Sequence, residues 1–348
     1  MNNLANQFTE VTKENSNKTA IFWGEDKFSF DHAHSIAKCL AKRLKVEFEL
    51  QPGDRVALWL KNCPEFVFSL FGILLGEGVV VSINSFLTPD EVGYIVEDCG
   101  AKVIISEASM GKETSVLVNN SPGLNVIEVE SLNRMDSIDY TLLEQSPEDL
   151  ALIIYTSGTT GRSKGAMLSH AALASNSETL RQYWKFTSED VLIHALPIFH
   201  THGLFVATNV SLMAGSSCIF MPRFDQSHIV DVMPKATVLM GVPTFYVRLL
   251  NEKKLKQAAE NMRLFVSGSP PLLSETHRNW QEITGHNILE RYGMTETNMN
   301  TSNPYHGERR AGTVGLPLPG VEVKITEPKT GKTLSLIHIS EPTRQERS

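Results

Sequence analysis

The sequence predicts an α/β fold with parallel or mixed sheets covered by helices. Three observations carry that expectation. Short β-branched runs alternate with longer helix-like segments, glycine and proline punctuate the ends of those segments, and 41% hydrophobic against 20% charged residues over 348 positions can fill a sizeable core. At about 150 residues per domain, the length corresponds to roughly two domains or one large lobed one.

The alternation is clearest in the first third of the chain. Arg55–Trp59 (RVALW) reads as a strand and is followed, past Asn62, by a helix beginning near Pro64. Val79–Ile83 is the next strand, Pro89-Asp90 opens a second helix, and Lys102–Ser106 is a third strand. Strand, helix, strand, helix, strand in that order favours parallel pairing through crossovers. Gly76, Gly78 and Gly100 stand where these helices should stop. Ala108–Pro147 is looser and acidic, and reads as a connection into a second lobe. The pattern resumes with a strand at Leu150–Tyr155, a glycine-rich loop and a helix from about Ser169. Further strands are expected near Val191–Ala195, Ser217–Phe220, Thr237–Gly241 and Leu264–Ser267, and Val321–Thr326 should run into a hairpin turn. The closing stretch, Leu334–Ser348 (LSLIHISEPTRQERS), reads as translated adapter or vector sequence. The domain is therefore expected to occupy residues 1–333, with 334–348 a non-native tail.

Composition excludes several classes. Thirty-two basic against 39 acidic side chains give a net charge of −7, which argues against a nucleic-acid partner needing a basic face. Cys39, Cys63, Cys99 and Cys218 form no CxxC pair, so neither a zinc site nor a disulfide framework is indicated, and a cytoplasmic setting is expected. The polar start has no signal-peptide layout. The greasiest run, Phe66–Val81, is broken by Gly72, Gly76, Glu77 and Gly78, so no membrane segment is expected. Nothing in the sequence speaks to oligomeric state.

Chemistry concentrates in Tyr155–Gly165, YTSGTTGRSKG. Gly158 and Gly161 free the backbone to turn amides toward an anion, Thr156, Ser157, Thr159, Thr160 and Ser163 add hydroxyl donors, and Lys164 adds charge. Such a loop after an apolar strand suits a polyphosphate; its bland alternative is a flexible surface loop. Lys164 stands three residues past Gly161 and precedes Gly165, so the spacing is not that of a Walker A loop.

This segment resembles the signature loop of adenylate-forming enzymes, the superfamily of acyl-CoA synthetases, peptide-synthetase adenylation domains and luciferases. Val266–Pro270 (VSGSP), Glu290–Glu296 (ERYGMTE) and Gly312–Pro319 (GTVGLPLP) resemble later motifs of that superfamily, in the same order. The resemblance implies the large, lobed N-terminal domain of an acyl-CoA synthetase, with a smaller β lobe, and without the small C-terminal domain that completes catalysis. It also implies Mg-ATP and coenzyme A as cofactor and co-substrate. Thr156, Ser157, Gly158, Thr159, Thr160, Gly161 and Lys164 would hold the β- and γ-phosphates. Gly268, Ser269 and Pro270, with Glu290, Arg291, Tyr292, Gly293 and Met294, would form the adenine side. Thr295 would touch the α-phosphate and Glu296 would ligate Mg²⁺, as a hard oxygen donor should. Outside the motif, Glu296 reads as a surface acid.

Within the superfamily, His194–Phe205 (HALPIFHTHGLF), Met240–Leu250 (MGVPTFYVRLL) and Glu290–Pro304 resemble malonyl-CoA synthetases. Malonate keeps one carboxylate unactivated, and a planar guanidinium matches it with two parallel hydrogen bonds. Arg291 is the leading clamp and Arg248 the second candidate. The alternatives are that Arg291 pairs with Glu290 or Glu296 and that Arg248 faces solvent. The polar run Thr297–Asn303 fits a small polar acyl pocket, with Met299 as the apolar exception. The resemblance places His200 near the acyl and CoA channel. His200-Thr201-His202, read as strand residues, point to opposite faces and lack a third metal ligand. His194 and His202 are expected to be satisfied structural histidines. The small-molecule partners implied are malonate, ATP and CoA, with little turnover from a chain lacking the second domain. Alternatives are a synthetase for methylmalonate or another short acid, and a non-catalytic nucleotide-binding module.

Overall fold

Two sheets, each built on parallel strands, organise the chain in a computed structural model that describes residues 3–134, 145–156, 162–327, 330, 331 and 333. The first sheet grows from the β-branched runs noted above. Its strands are β3 (Arg55–Trp59), β4 (Val79–Ser82), β5 (Ala101–Ser106), β6 (Asn125–Glu128), β7 (Leu150–Thr156) and β8 (Lys164–Ser169), after β1 (Thr19–Trp23) and β2 (Asp26–Ser29), which belong elsewhere. The spatial order is β6-β5-β3-β4-β7-β8, parallel throughout except for β8. Alternate residues enter different cores: Val56, Leu58, Val80, Val103 and Leu152 pack on one face, Ala57, Trp59, Val81, Ile104 and Ile153 on the other. Burial of both faces is what a parallel sheet requires.

The second sheet contains β9 (Val191–His194), β10 (Ser217–Phe220), β11 (Val238–Gly241), β12 (Leu264–Ser267), β13 (Leu289–Met294), β14 (Asn298–Ser302) and β15 (Leu316–Pro317). Its order is β15-β14-β13-β12-β11-β9-β10-β1-β2. The centre from β1 to β13 is parallel; β2 closes one edge and the smaller β14–β15 element the other, both antiparallel.

Helix boundaries follow local chemistry. Helix Pro89–Cys99 starts on a Thr88–Glu91 capping box with Pro89 in its first turn and ends on left-handed Gly100 at φ 61°. Helix Pro64–Leu75 is apolar on all sides and is buried except at Glu65. A Cβ at Gly72 would come within 2.9 Å of Leu40, so this glycine sets how closely that helix meets helix Phe30–Glu47. Beyond the end of β3, buried Asn62 joins the sheets: its amide donates to Leu196 O at 2.8 Å and its oxygen accepts from Ile198 N at 2.9 Å.

Three expectations are corrected. Ala108–Pro147 is no inter-lobe connection. It carries helix Gly111–Asn120 and edge strand β6, and the chain returns through β7 to the same sheet, beside β4. The glycine-rich loop joins two antiparallel strands, β7 and β8, so helix His170–Tyr183 begins only after a second strand. Val321–Ile325 is irregular; the turn beyond it is present as an antiparallel bridge between Thr326 and Thr333. Residues 334–348 lie outside the described residues.

Candidate active site

In open α/β sheets ligands sit at the carboxyl ends of parallel strands. The segments singled out in the sequence leave the sheets at those ends: the turn Gly268–Pro270 after β12, the loop from Ala195 to His202 after β9, and the β13–β14 hairpin. Ser267 pairs with Gly241 and Glu290, which aligns the strand ends. Ser269 at φ 61° is a non-glycine residue in left-handed backbone, a costly conformation that marks the turn as over-determined by its surroundings.

Ser157, Gly158, Thr159, Thr160 and Gly161 lie outside the described residues. Their flanks are fixed. Thr156 pairs with Lys164 across β7–β8, and Lys164 is exposed with no ion-pair partner among the described residues. On the far side, Tyr94 Oη donates to Ser163 O at 3.1 Å and the Arg162 guanidinium stands 5.6 Å from the Tyr94 ring. Helix Pro89–Cys99 thus anchors the returning arm of the hairpin.

The β13–β14 hairpin carries the second group. Its register slips by one residue between Tyr292 and Gly293, a bulge at which a side chain on Gly293 would strike the Asn298 carbonyl and the Met299 methyl. Tyr292 and Met294 are exposed, Thr295 is half-buried, and Glu296 extends from the turn into solvent. No ion pair involving Glu296 occurs among the described residues, so its carboxylate is free to serve as the hard oxygen donor that Mg²⁺ takes. Met299 is 3% exposed and packs in the core of this lobe, its backbone held by Asn176 Nδ2 at 2.9 Å.

Glu290 is 4% exposed and accepts the backbone N–H groups of Leu272 and Gly312, each at 3.2 Å, so it braces the loops after β12 and β14. The polar run 297–303 has a comparable use and does not form a free polar wall. Asn303 donates to Glu290 O and Thr313 O, Thr301 to Val314 O, and Ser302 accepts from Trp184 Nε1.

Arg291 is 3% exposed, and its Nε and Nη2 have no hydrogen-bond partner among the described residues. It pairs with neither Glu290 nor Glu296, so the structural ion pair allowed by the sequence is absent among the described residues. Its guanidinium lies beside Gly268, and burial pushes it down to about 10. A buried cation without an anion is costly, and this one faces the turn where a ligand would enter. Arg248 differs. On helix Pro243–Leu249 it is two residues, about 200°, from buried Tyr246. It is exposed over the Phe224 ring at 5.7 Å, so the solvent-facing alternative is the one observed.

The segment after β9 departs most from the reading of the sequence. His202–Asn209 is a π-type helical turn, so His200 and His202 are not alternating strand residues. His200 is exposed and packs on Phe199 with centroids 4.4 Å apart. His194 is held through Nε2 by Gly203 O at 2.8 Å and Thr208 Oγ1 at 2.9 Å, while its Nδ1 has no partner among the described residues. His202 is buried with both ring nitrogens unpartnered among the described residues, contrary to the expected satisfied histidine. No periodicity or motif in the sequence distinguishes an unsatisfied buried histidine from a satisfied one. Nearby, a largely apolar cleft of about 900 Å³ is walled by Asn62, Phe199, Phe224 and Phe245, with Lys61 and Arg223 contributing charge.

Together these features define an α/β domain with a buried cation, without an ion-pair partner among the described residues, beside the turn Gly268–Pro270. Residues 8–338 match the AMP-binding enzyme family, and the chain belongs to that family. Its architecture is that of the large N-terminal domain of adenylate-forming enzymes. Among curated proteins it is 35% identical over 305 residues to malonate–CoA ligase of Arabidopsis thaliana, covering 79% of this chain and 50% of that one. It is 34% identical to the mitochondrial malonate–CoA ligase ACSF3 of Xenopus laevis, covering 89% and 58%. The ATP-bound crystal structure of MatB from Rhodopseudomonas palustris superposes with a TM-score of 0.90 at 46% identity, covering 96% of this chain and 68% of that one. The chain thus spans about half the length of the curated relatives. No helix among the described residues is long and apolar enough to cross a membrane.

Proposed function

We propose that this chain is the substrate-binding part of an acid–CoA ligase that activates malonate with Mg-ATP and transfers it to coenzyme A, acting in the cytoplasm. The observation that carries the acid's identity is the buried guanidinium of Arg291, within β13 beside Gly268 and unpartnered at Nε and Nη2 among the described residues. One malonate carboxylate seats on it as a bidentate pair, and the other is left to react. In the first half-reaction that free carboxylate attacks the α-phosphorus of ATP, giving malonyl-AMP and pyrophosphate. In the second the CoA thiol attacks the acyl carbon, loses its proton and releases AMP.

In this reading the chain contributes positioning and charge. Lys164 and the hairpin residues 156–163 hold the β- and γ-phosphates, and Thr295 holds the α-phosphate. The turn Gly268–Pro270 and residues 291–294 flank the adenine. Glu296 would hold Mg²⁺, which, when bound, offsets phosphate charge. Glu290 enters as a brace for these loops. The 348-residue polypeptide by itself is proposed to bind these substrates and turn over slowly.

Calorimetric titration with malonate and with propionate, in the presence of Mg²⁺ and a non-hydrolysable ATP analogue, tests the assignment. Malonate should bind about tenfold or more tightly than propionate, and Arg291→Ala should remove that difference. A preference that survives Arg291→Ala would refute it.

A further inference from the structure

Arg291 is not alone in lacking partners. Along the second sheet His194 pairs with Met240, Met240 with Val266 and Val266 with Leu289, so these four side chains share one face. Arg291, two residues past Leu289 on the same strand, projects from that face as well. The π-type turn His202–Asn209 lies on it too, since His194 bonds Gly203 O and Thr208 Oγ1. Arg291 and His202 therefore lie on one face of the sheet, close enough for the guanidinium charge to act on the imidazole; each is more than nine-tenths buried and has two nitrogens without a partner among the described residues.

Burial, followed by the positive charge of Arg291, holds His202 well below the usual imidazole range. At neutral pH it is an uncharged ring with one N–H to donate. This buried face thus carries one positive charge and an additional neutral donor. A carboxylate offers about four lone-pair sites, of which a bidentate guanidinium uses two. Burying both groups unsatisfied is unfavourable unless a ligand that matches both binds between them.

We propose that His202 is a specificity residue for the acid, donating a ring N–H to the same non-reacting carboxylate that Arg291 grips. The inference rests on the malonate reading above and adds a residue and a role to it. An acid without the second carboxylate would leave His202 unsatisfied, so the histidine should discriminate between malonate and propionate and leave nucleotide binding alone.

The test uses the whole chain with Mg²⁺ and a non-hydrolysable ATP analogue. Malonate and propionate affinities are measured for the unmodified protein, His202→Ala, His202→Asn and Arg291→Ala, with the thermal midpoint of each. Loss of one hydrogen bond to a charged group should weaken malonate by about tenfold or more in His202→Ala. Propionate and the nucleotide analogue should stay within about twofold, and His202→Asn, which keeps a donor, should recover part of the loss. Equal losses for both acids, or unchanged malonate binding in His202→Ala with Arg291→Ala defective, would overturn the role of His202 alone. Should His202→Ala not fold, the same comparison in His202→Asn decides: a malonate loss beyond threefold with propionate retained supports the assignment, and no selective loss overturns it. Absence of any malonate preference in the unmodified protein would instead overturn the malonate reading, and this inference with it.

Discussion

Gly268→Ala probes how tightly the Arg291 guanidinium is placed. A Cβ at position 268 would lie 2.5 Å from Arg291 Cζ, 2.6 Å from Nη1 and 2.8 Å from Nε. Ordinary contact begins at 3.4 Å, so the guanidinium must withdraw by about 3.4 − 2.5 = 0.9 Å. Gly268 is not among the glycines at positive φ, so alanine is acceptable to its backbone. The atoms that must move are the far end of a side chain, so the cost falls on the position of the charge more than on the fold. A charge-assisted bond of about 2.8 Å stretched by that amount reaches roughly 3.7 Å, beyond hydrogen-bonding range. Loss of one such bond is worth about 1.5–3 kcal/mol, or roughly ten- to hundred-fold in affinity. The assay is calorimetric titration of malonate and propionate at saturating nucleotide analogue, with a thermal scan of each protein. Malonate should weaken by that factor, propionate by less than threefold, and the unfolding midpoint should move little. Unchanged malonate binding, or a collapse of stability with selectivity intact, would refute the argument that Gly268 sets the guanidinium position.

Two further outcomes concern stability. Asp190 accepts from Arg263 Nε at 2.6 Å and Nη2 at 2.7 Å, and also from Thr237 Oγ1 and Thr187 N. Asp190→Ala leaves that guanidinium without its acid and should cost about 3 kcal/mol in urea unfolding; a loss below about 1 kcal/mol would show the pair to be dispensable. Burial lowers both His170 and His194 from 6.5 to about 4, and His170 Nδ1 accepts Leu4 N–H at 3.2 Å, tying down the N-terminal helix Leu4–Asn15. Below pH 6.5 the unfolded chain takes up protons that the folded one refuses until about 4, so stability should fall across that window as pH drops. The slope should be up to about 1.4 kcal/mol per pH unit for each histidine. A flat unfolding midpoint between pH 7 and 5 would contradict this.

The first sheet was readable because its information is local. The valine and isoleucine runs, Pro64, Pro89, Gly76 and Gly100 carry the backbone preferences that start and stop each element, and the inner parallel strands β3, β4, β5 and β7, buried on both faces, leave continuous apolar stretches. The glycine-rich loop after β7 and the Thr295–Glu296 turn stood out for a related reason: glycine, hydroxyl and charge were concentrated in short windows. Strand β8, Lys164–Ser169, escaped because its KGAMLS sequence has no β-branched residue and its status comes from pairing with β7. Helix Gly111–Asn120 and strand β6 were hidden in a polar segment: β6 is a short edge strand with exposed Asn125 and Glu128 at its ends, recognisable as a strand by its pairing with β5.

The sequence by itself determined the α/β class, the order of the nucleotide motifs and the presence of an arginine suited to a second carboxylate. Each of these is a property of residue types at short spacing. Only the tertiary structure decided that, among the described residues, Arg291 is buried without an acid and His202 is buried unsatisfied on the same face of the sheet, that Arg248 faces solvent, and that Glu290 braces two loops. Those outcomes depend on which groups segments nearly ninety residues apart bring together, and an unsatisfied polar atom is defined by the partners it lacks in space, which the sequence does not carry.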